Sequence, residues 1–191
     1  YPLIGNYGVP SEDVVDAHGL PRYFESAGVH ISALVVAHYS SFHSHWTSTR
    51  SLGEWLVAHG IPAIHGVDTR ALTKLIRSSG ALKGRIEVEG EDPLPYTDPN
   101  DRNLVAEVST SAATADNKGG DVKVLAVDCG MKHAIVRQLV ARGAEVTVVP
   151  WDHAFAAELG GFDGLFLSNG PGDPTRCEAT IAQLREALAH D

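Results

Sequence analysis

The densest chemistry in the chain lies in eight residues, Leu167 to Pro174, which read L-S-N-G-P-G-D-P. Gly170 and Gly172 can adopt positive φ and let a ligand approach the backbone, while Pro171 and Pro174 stiffen the loop so that its N–H groups keep one orientation. Rigid N–H donors suit an oxyanion. A plain turn between a strand and a helix has the same composition, and these residues alone leave both readings open. A nucleotide cradle is disfavoured, because neither G-x-x-x-x-G-K nor G-x-G-x-x-G occurs.

Two cysteines could supply a nucleophile. Cys129 sits in D-C-G after an apolar run; an unpaired cysteine usually behaves as a small buried apolar residue, so a structural role is favoured over a catalytic one. Cys177 opens a helical segment whose dipole could lower its pKa, and it too is read as structural. His38, His43 and His45, beside Trp46, lack the i, i+4 pair plus third ligand of a helical zinc site, so they read as a polar loop and no metal is expected. Arg70 and Lys74, one helical turn apart, read as a solvated face.

The elements that must carry these residues alternate. Before residue 110, the apolar run Ile31 to Val36 predicts a strand, and Ser51 to His59 a helix with Leu52, Trp55 and Leu56 on one face. Ile61 to Val67 predicts a second strand; Asp68 caps a helix carrying Leu72, Leu75 and Ile76 that stops at Gly80, and a further strand is expected near Leu82 to Val88. Pro93, Pro95 and Pro99 make a turn-rich connection. Small polar residues from Thr110 to Gly120 read as a solvated linker.

Beyond it, Val122 to Val127, Glu145 to Val149 and Gly164 to Leu167 read as three strands, expected to lie parallel. Between and after them come a helix with Ile135, Val136, Leu139 and Val140 ended by Gly143, a short helix near His153 to Leu159, and a last helix with Ile181, Leu184 and Leu188. In such sheets ligands bind at the carboxyl ends of the strands, which is where Gly170 and Gly172 fall. The domains expected are 1–109, a linker 110–121, and 122–191.

At this level of detail the chain resembles a known family. Val122 to Pro174, opening with V-L-A-V-D-C-G-M-K-H-A-I-V-R-Q-L-V and closing with L-S-N-G-P-G-D-P, is similar to the first half of a class I glutamine amidotransferase domain. Y-P-L-I-G-N-Y-G-V-P-S-E-D at Tyr1 to Asp13, G-V-D-T-R-A-L-T-K-L-I-R at Gly66 to Arg77 and N-L-V-A-E-V-S-T at Asn103 to Thr110 resemble the amino-terminal domain of carbamoyl-phosphate synthetase small subunits and their fused relatives. The fold this implies is α/β: an amino-terminal domain of mixed strands and helices, then part of an open parallel-sheet amidotransferase domain.

The resemblance implies a glutaminase with a cysteine nucleophile, a histidine base and an orienting glutamate, releasing ammonia for carbamoyl phosphate synthesis in the pyrimidine or arginine pathway. It gives Gly170 the oxyanion N–H and Gly172 a place in the glutamine pocket. It puts the nucleophile elbow beyond Asp191 and a serine of the glutamine site before Tyr1, so these 191 residues alone are expected to be inactive. The implied partners are glutamine and a synthetase subunit or region that holds ATP and magnesium and takes bicarbonate. Ser168, Asn169 and Asp173 resemble the glutamine-using branch rather than a mitochondrial branch that uses free ammonia. The alternative is a non-catalytic fragment that docks on the synthetase.

Composition fits and excludes. Hydrophobic residues make up 43% of the chain and charged ones 20%, enough apolar material for a buried core and too little charge for a disordered chain. A formal net charge of −9 repels phosphate backbones and anionic lipid, so nucleic acid is an unexpected partner. No apolar run nears the ~20 residues of a membrane span, and two cysteines form no secreted disulfide framework, which points to a cytoplasmic protein.

Overall fold

Strand β8, Val122–Asp128, organises the carboxyl-terminal part of the molecule. In the computed structural model, which describes residues 3–189, the chain forms two compact units: Tyr1–Val14 with Ala27–Thr97, and Val15–Ser26 with Asp98–Asp191. Tyr1, where the amino-terminal motif begins, and Asp191, beyond which the elbow is expected, lie outside the described residues.

The first unit holds short elements: β1 (Leu3–Ile4), β2 (Val9–Pro10), β3 (Leu34–Val35), β4 (His38–Tyr39), β5 (Ser48–Arg50), α1 (Leu52–Ala58), β6 (Ala63–Ile64) and α2 (Thr69–Ser79). β1 pairs with β4 and β3 with β6 in parallel, while β2 pairs antiparallel with β5. Ser51 caps α1 in a reciprocal box with Glu54, the Ser51 Oγ accepting from Glu54 N–H and the Glu54 carboxylate from Ser51 N–H. Glu12 accepts from Trp55 Nε1 at 3.0 Å and meets Arg50 and His59; the Trp55 hydrogen bond is the main force holding its carboxyl below the usual range. Asp68 caps α2 as expected, accepting from Ala71 N–H, and Gly80 ends it at φ 78°.

The strand expected at Leu82 to Val88 does not form. No strand pairs with it among the described residues, and Arg85 instead donates to Glu87 and to the Leu94 carbonyl while lying 4.7 Å from the Tyr96 ring centroid. Alternating apolar residues make a strand only where a neighbour offers its edge, and here a side chain gathers the segment.

The second unit contains α3 (Leu104–Val108), β7 (Thr114–Asp116), β8, α4 (His133–Val140), β9 (Ala144–Pro150), β10 (Gly164–Leu167) and α5 (Glu178–Leu188). Its sheet runs β10-β8-β9-β7. β8 pairs in parallel with β9 and with β10, as the sequence pattern requires, and β7 adds an antiparallel edge. Alternation along β8 sends Leu125 and Val127 to one face, where they pack with Val149, Phe155 and Cys177, and Ala126 to the other, with Val136, Val140 and Val146. Both faces of the sheet are therefore covered. The short helix expected at His153 to Leu159 is a 3₁₀ turn at Ala156–Gly161, ending in two glycines that disfavour a continued helix.

These units cut across the expected boundary at 110–121. Thr110 N–H donates to Asp128 Oδ2, β7 pairs with β9, and Asn117, at φ 54°, donates its side-chain amide to the Ala144 carbonyl. A Cβ on Gly120 would lie 2.4 Å from the Gly143 oxygen. The small polar residues thus build an edge strand and a tight approach to β9 rather than a free tether. No described helix is long and apolar enough to cross a membrane.

Candidate functional site

The carboxyl ends of β8 and β10 are neighbours, and the chain leaving each is pinned to the other. Asp128, at the end of β8, turns the backbone by accepting from the N–H groups of Gly130 (2.8 Å) and Met131 (2.6 Å), while its second oxygen accepts from Thr110. Ser168, just past β10, donates from its N–H to the Val127 carbonyl; its buried Oγ accepts from Cys129 N–H at 2.9 Å and donates to the Asn169 carbonyl. Two crossing loops, 128–131 and 168–174, are therefore held in fixed register.

Gly170 sits where they cross. A Cβ there would lie 2.0 Å from the Cys129 oxygen and 3.0 Å from Val105 Cγ2, so only glycine fits without movement. Gly172 has φ +77° and lies against Leu104. Asp173 then caps a 3₁₀ turn at Pro174–Arg176 by accepting from Thr175 N–H, the hydrogen bond that mainly depresses its carboxyl pKa. Among the described residues nothing accepts from the N–H of Gly170 or of Gly172.

Both glycines line a cleft of about 270 Å³, floored by Val105, Cys129, Thr180, Ile181 and Leu184 and bounded by Ser168 to Gly172. Free backbone donors around an apolar floor can hold a carbonyl oxygen as it gains charge. A larger groove of about 630 Å³ opens at the start of α2 beside His38, Gly66, Asp68 and Arg70. None of its lining residues is buried, so solvent competes for every polar group there, and the smaller cleft is the better candidate.

Burial pushes the Cys129 thiol up to about 11, helped by Cys177 and Asp128 against a weaker lowering by Thr180. Cys177, read as structural although it stands at the start of α5, has its pKa raised, first by burial and then by the charge of Asp173. Neither is set up as a thiolate.

Of the three histidines, His38 lies in β4, and His45 pairs its Nδ1 with Thr47 Oγ1 at 2.7 Å and its ring with Tyr7 and Trp46. No group of three or more His, Cys, Asp or Glu among the described residues could hold a metal. Arg70 and Lys74 lie on an exposed stretch of α2. The sequence alone did not mark Val105 as part of the cleft floor, nor show that Asp128 and Ser168 pin the two loops. One signal was present: an Asn-capped apolar turn, N-L-V, inside a polar stretch.

Comparison with known proteins bears on the same residues. The family described as "Carbamoyl-phosphate synthase small chain, CPSase domain" matches residues 1–86, and "Glutamine amidotransferase class-I" matches 125–191. The chain is similar to the multifunctional protein CAD of Squalus acanthias, 52% identical across the whole chain and 8% of that protein. It is 47% identical to the mitochondrial carbamoyl-phosphate synthase (ammonia) of Homo sapiens, again across the whole chain and 12% of the relative. Identity is also 47% to the carbamoyl phosphate synthase arginine-specific small chain of Saccharomyces cerevisiae, over 98% of this chain and 46% of that one. The chain thus spans less than half the length of each of these relatives.

Proposed function

The chain belongs to the carbamoyl-phosphate synthase small-chain family, and on that premise we propose that it is part of the glutamine amidotransferase that feeds carbamoyl phosphate synthesis. The observation that carries this reading is the Gly170 N–H, unclaimed by any described acceptor, on a loop whose neighbour at 128–131 allows no side chain at that position. In our reading Gly170 donates to the oxyanion formed when a thiolate attacks the glutamine side-chain amide, and Gly172 borders the glutamine pocket. The nucleophile, its histidine and its glutamate come from outside these 191 residues. The oxyanion charge collapses back as ammonia leaves, and water then releases glutamate from the acyl-enzyme.

The partner is a synthetase subunit or region, which holds ATP and magnesium and joins the ammonia to bicarbonate. Free ammonia would protonate in water, so delivery must be direct. The product serves pyrimidine or arginine biosynthesis, and two unpaired cysteines suit a reducing cytoplasm. A second reading, a docking fragment without turnover, draws on the two buried thiols whose pKa values are raised.

Glutamine labelled at its amide nitrogen separates the two. In the complete synthetase assembly carrying this chain, the label is expected in carbamoyl phosphate. A protein that binds the synthetase but leaves the label in glutamine, while free ammonia supports synthesis, would overturn the amidotransferase reading.

A further inference from the structure

Helix α4 begins without a cap of its own. Lys132 occupies the N-cap position with extended backbone, φ −72° and ψ 140°, yet its side chain makes no capping hydrogen bond. The first-turn donors are met instead by residues 15–26, a segment that folds with this unit. The Glu25 carbonyl accepts from His133 N–H at 3.0 Å, and Glu25 Oε2 accepts from Ala134 N–H at 2.7 Å. Its other oxygen faces Arg137 Nη1 at 3.4 Å, and the Phe24 carbonyl lies 3.1 Å from His133 Nδ1. Arg137 fastens the segment further by donating to Asp16 Oδ2 at 2.6 Å and to the Pro21 carbonyl.

What α4 follows gives this cap a consequence. The turn 128–131 leads straight into α4, the Cys129 carbonyl is the atom nearest a Cβ on Gly170, and Gly130 stands against Pro171 and the Gly170 Cα. Asp128 anchors the strand side of the turn; Glu25 anchors the helix side. We propose that Glu25 is a positioning residue of the glutamine site: by capping α4 from a distant segment it fixes the 128–131 turn, and through that turn the direction of the Gly170 N–H. The proposal rests on reading 168–174 as the oxyanion loop.

The cap can be moved to test it. In the glutamine-hydrolysing protein, Glu25→Ala should lower kcat by about fivefold, the ratio to which losing one helix cap corresponds, and leave KM for glutamine unchanged. Adding Lys132→Asp, which places a local cap on the same turn, should restore kcat. A role confined to docking the 15–26 segment would not be rescued in this way. An unchanged kcat in Glu25→Ala, or a double variant that stays slow, would overturn the proposal. If the unaltered protein hydrolyses no glutamine, the functional reading has failed, and amide hydrogen exchange of the 191-residue chain decides the cap by itself. Exchange at Ala134 should quicken in Glu25→Ala and slow again with Lys132→Asp; unaltered exchange would overturn the cap.

Discussion

In a glutamine-hydrolysing protein that carries these residues, Gly170→Ala is expected to reduce kcat for ammonia release by about 10²–10³-fold, the loss typical of one oxyanion donor. The substitution keeps the N–H and changes only its position. A Cβ at residue 170 would stand 2.0 Å from the Cys129 oxygen, far inside contact distance, and the obstacle is backbone rather than a side chain that could swing away. The obstacle cannot yield easily either, since Cys129 N–H is held by Ser168 and the turn that follows by Asp128. The 168–174 loop must shift instead, and its donor leaves the line to the oxyanion. Because that bond is strongest in the transition state, the loss should fall on kcat more than on KM. Gly160→Ala, where a Cβ meets nothing within 4 Å, should leave kcat unchanged. Steady-state kinetics on the two variants checks both statements, and equal effects would remove Gly170 from the mechanism.

The 191-residue chain on its own is expected to release no ammonia from glutamine above the uncatalysed background, and Cys129→Ser should make no difference. Attack on an amide needs a thiolate, and with a pKa of about 11 Cys129 is ionised on the order of once in ten thousand molecules at pH 7. Its backbone is already committed, the N–H to Ser168 Oγ and the carbonyl to the close approach of Gly170. Cys177 has its pKa raised by burial as well. Labelling of Cys129 by iodoacetamide should therefore rise with pH up to about 11 rather than level off near neutrality. Glutamine hydrolysis by the 191-residue chain that Cys129→Ser abolished would show the nucleophile to be misassigned.

Where local chemistry decides structure, the sequence was readable. β8, β9 and β10 are apolar runs closed by turn residues, Asp68 and Gly80 bracket α2, and both lie where the residue types demand. The place of the glycine loop, after β10 and before α5, was readable for the same reason. What depends on distant partners was not. Leu82 to Val88 has the alternation of a strand but no edge to join, and residues 110–120 look like a tether because small residues are what a close approach to β9 requires. Val105 could not be assigned to the cleft floor without knowing that α3 lies against Gly170 and Gly172. The raised pKa of Cys177 was hidden for a related reason: the dipole at the start of a helix is visible in sequence, whereas burial is not.

The proposed mechanism turns on one atom, the Gly170 nitrogen, and on where it lies when the substrate carbonyl carries charge. A crystal structure of the glutamine-hydrolysing protein with the glutamyl group held as a thioester would locate both. The acyl oxygen should lie about 2.7–3.1 Å from the Gly170 nitrogen, on a cysteine outside these 191 residues, with the 128–131 turn unmoved. An acyl oxygen bound elsewhere with the 168–174 loop empty, or a thioester on Cys129, would contradict it.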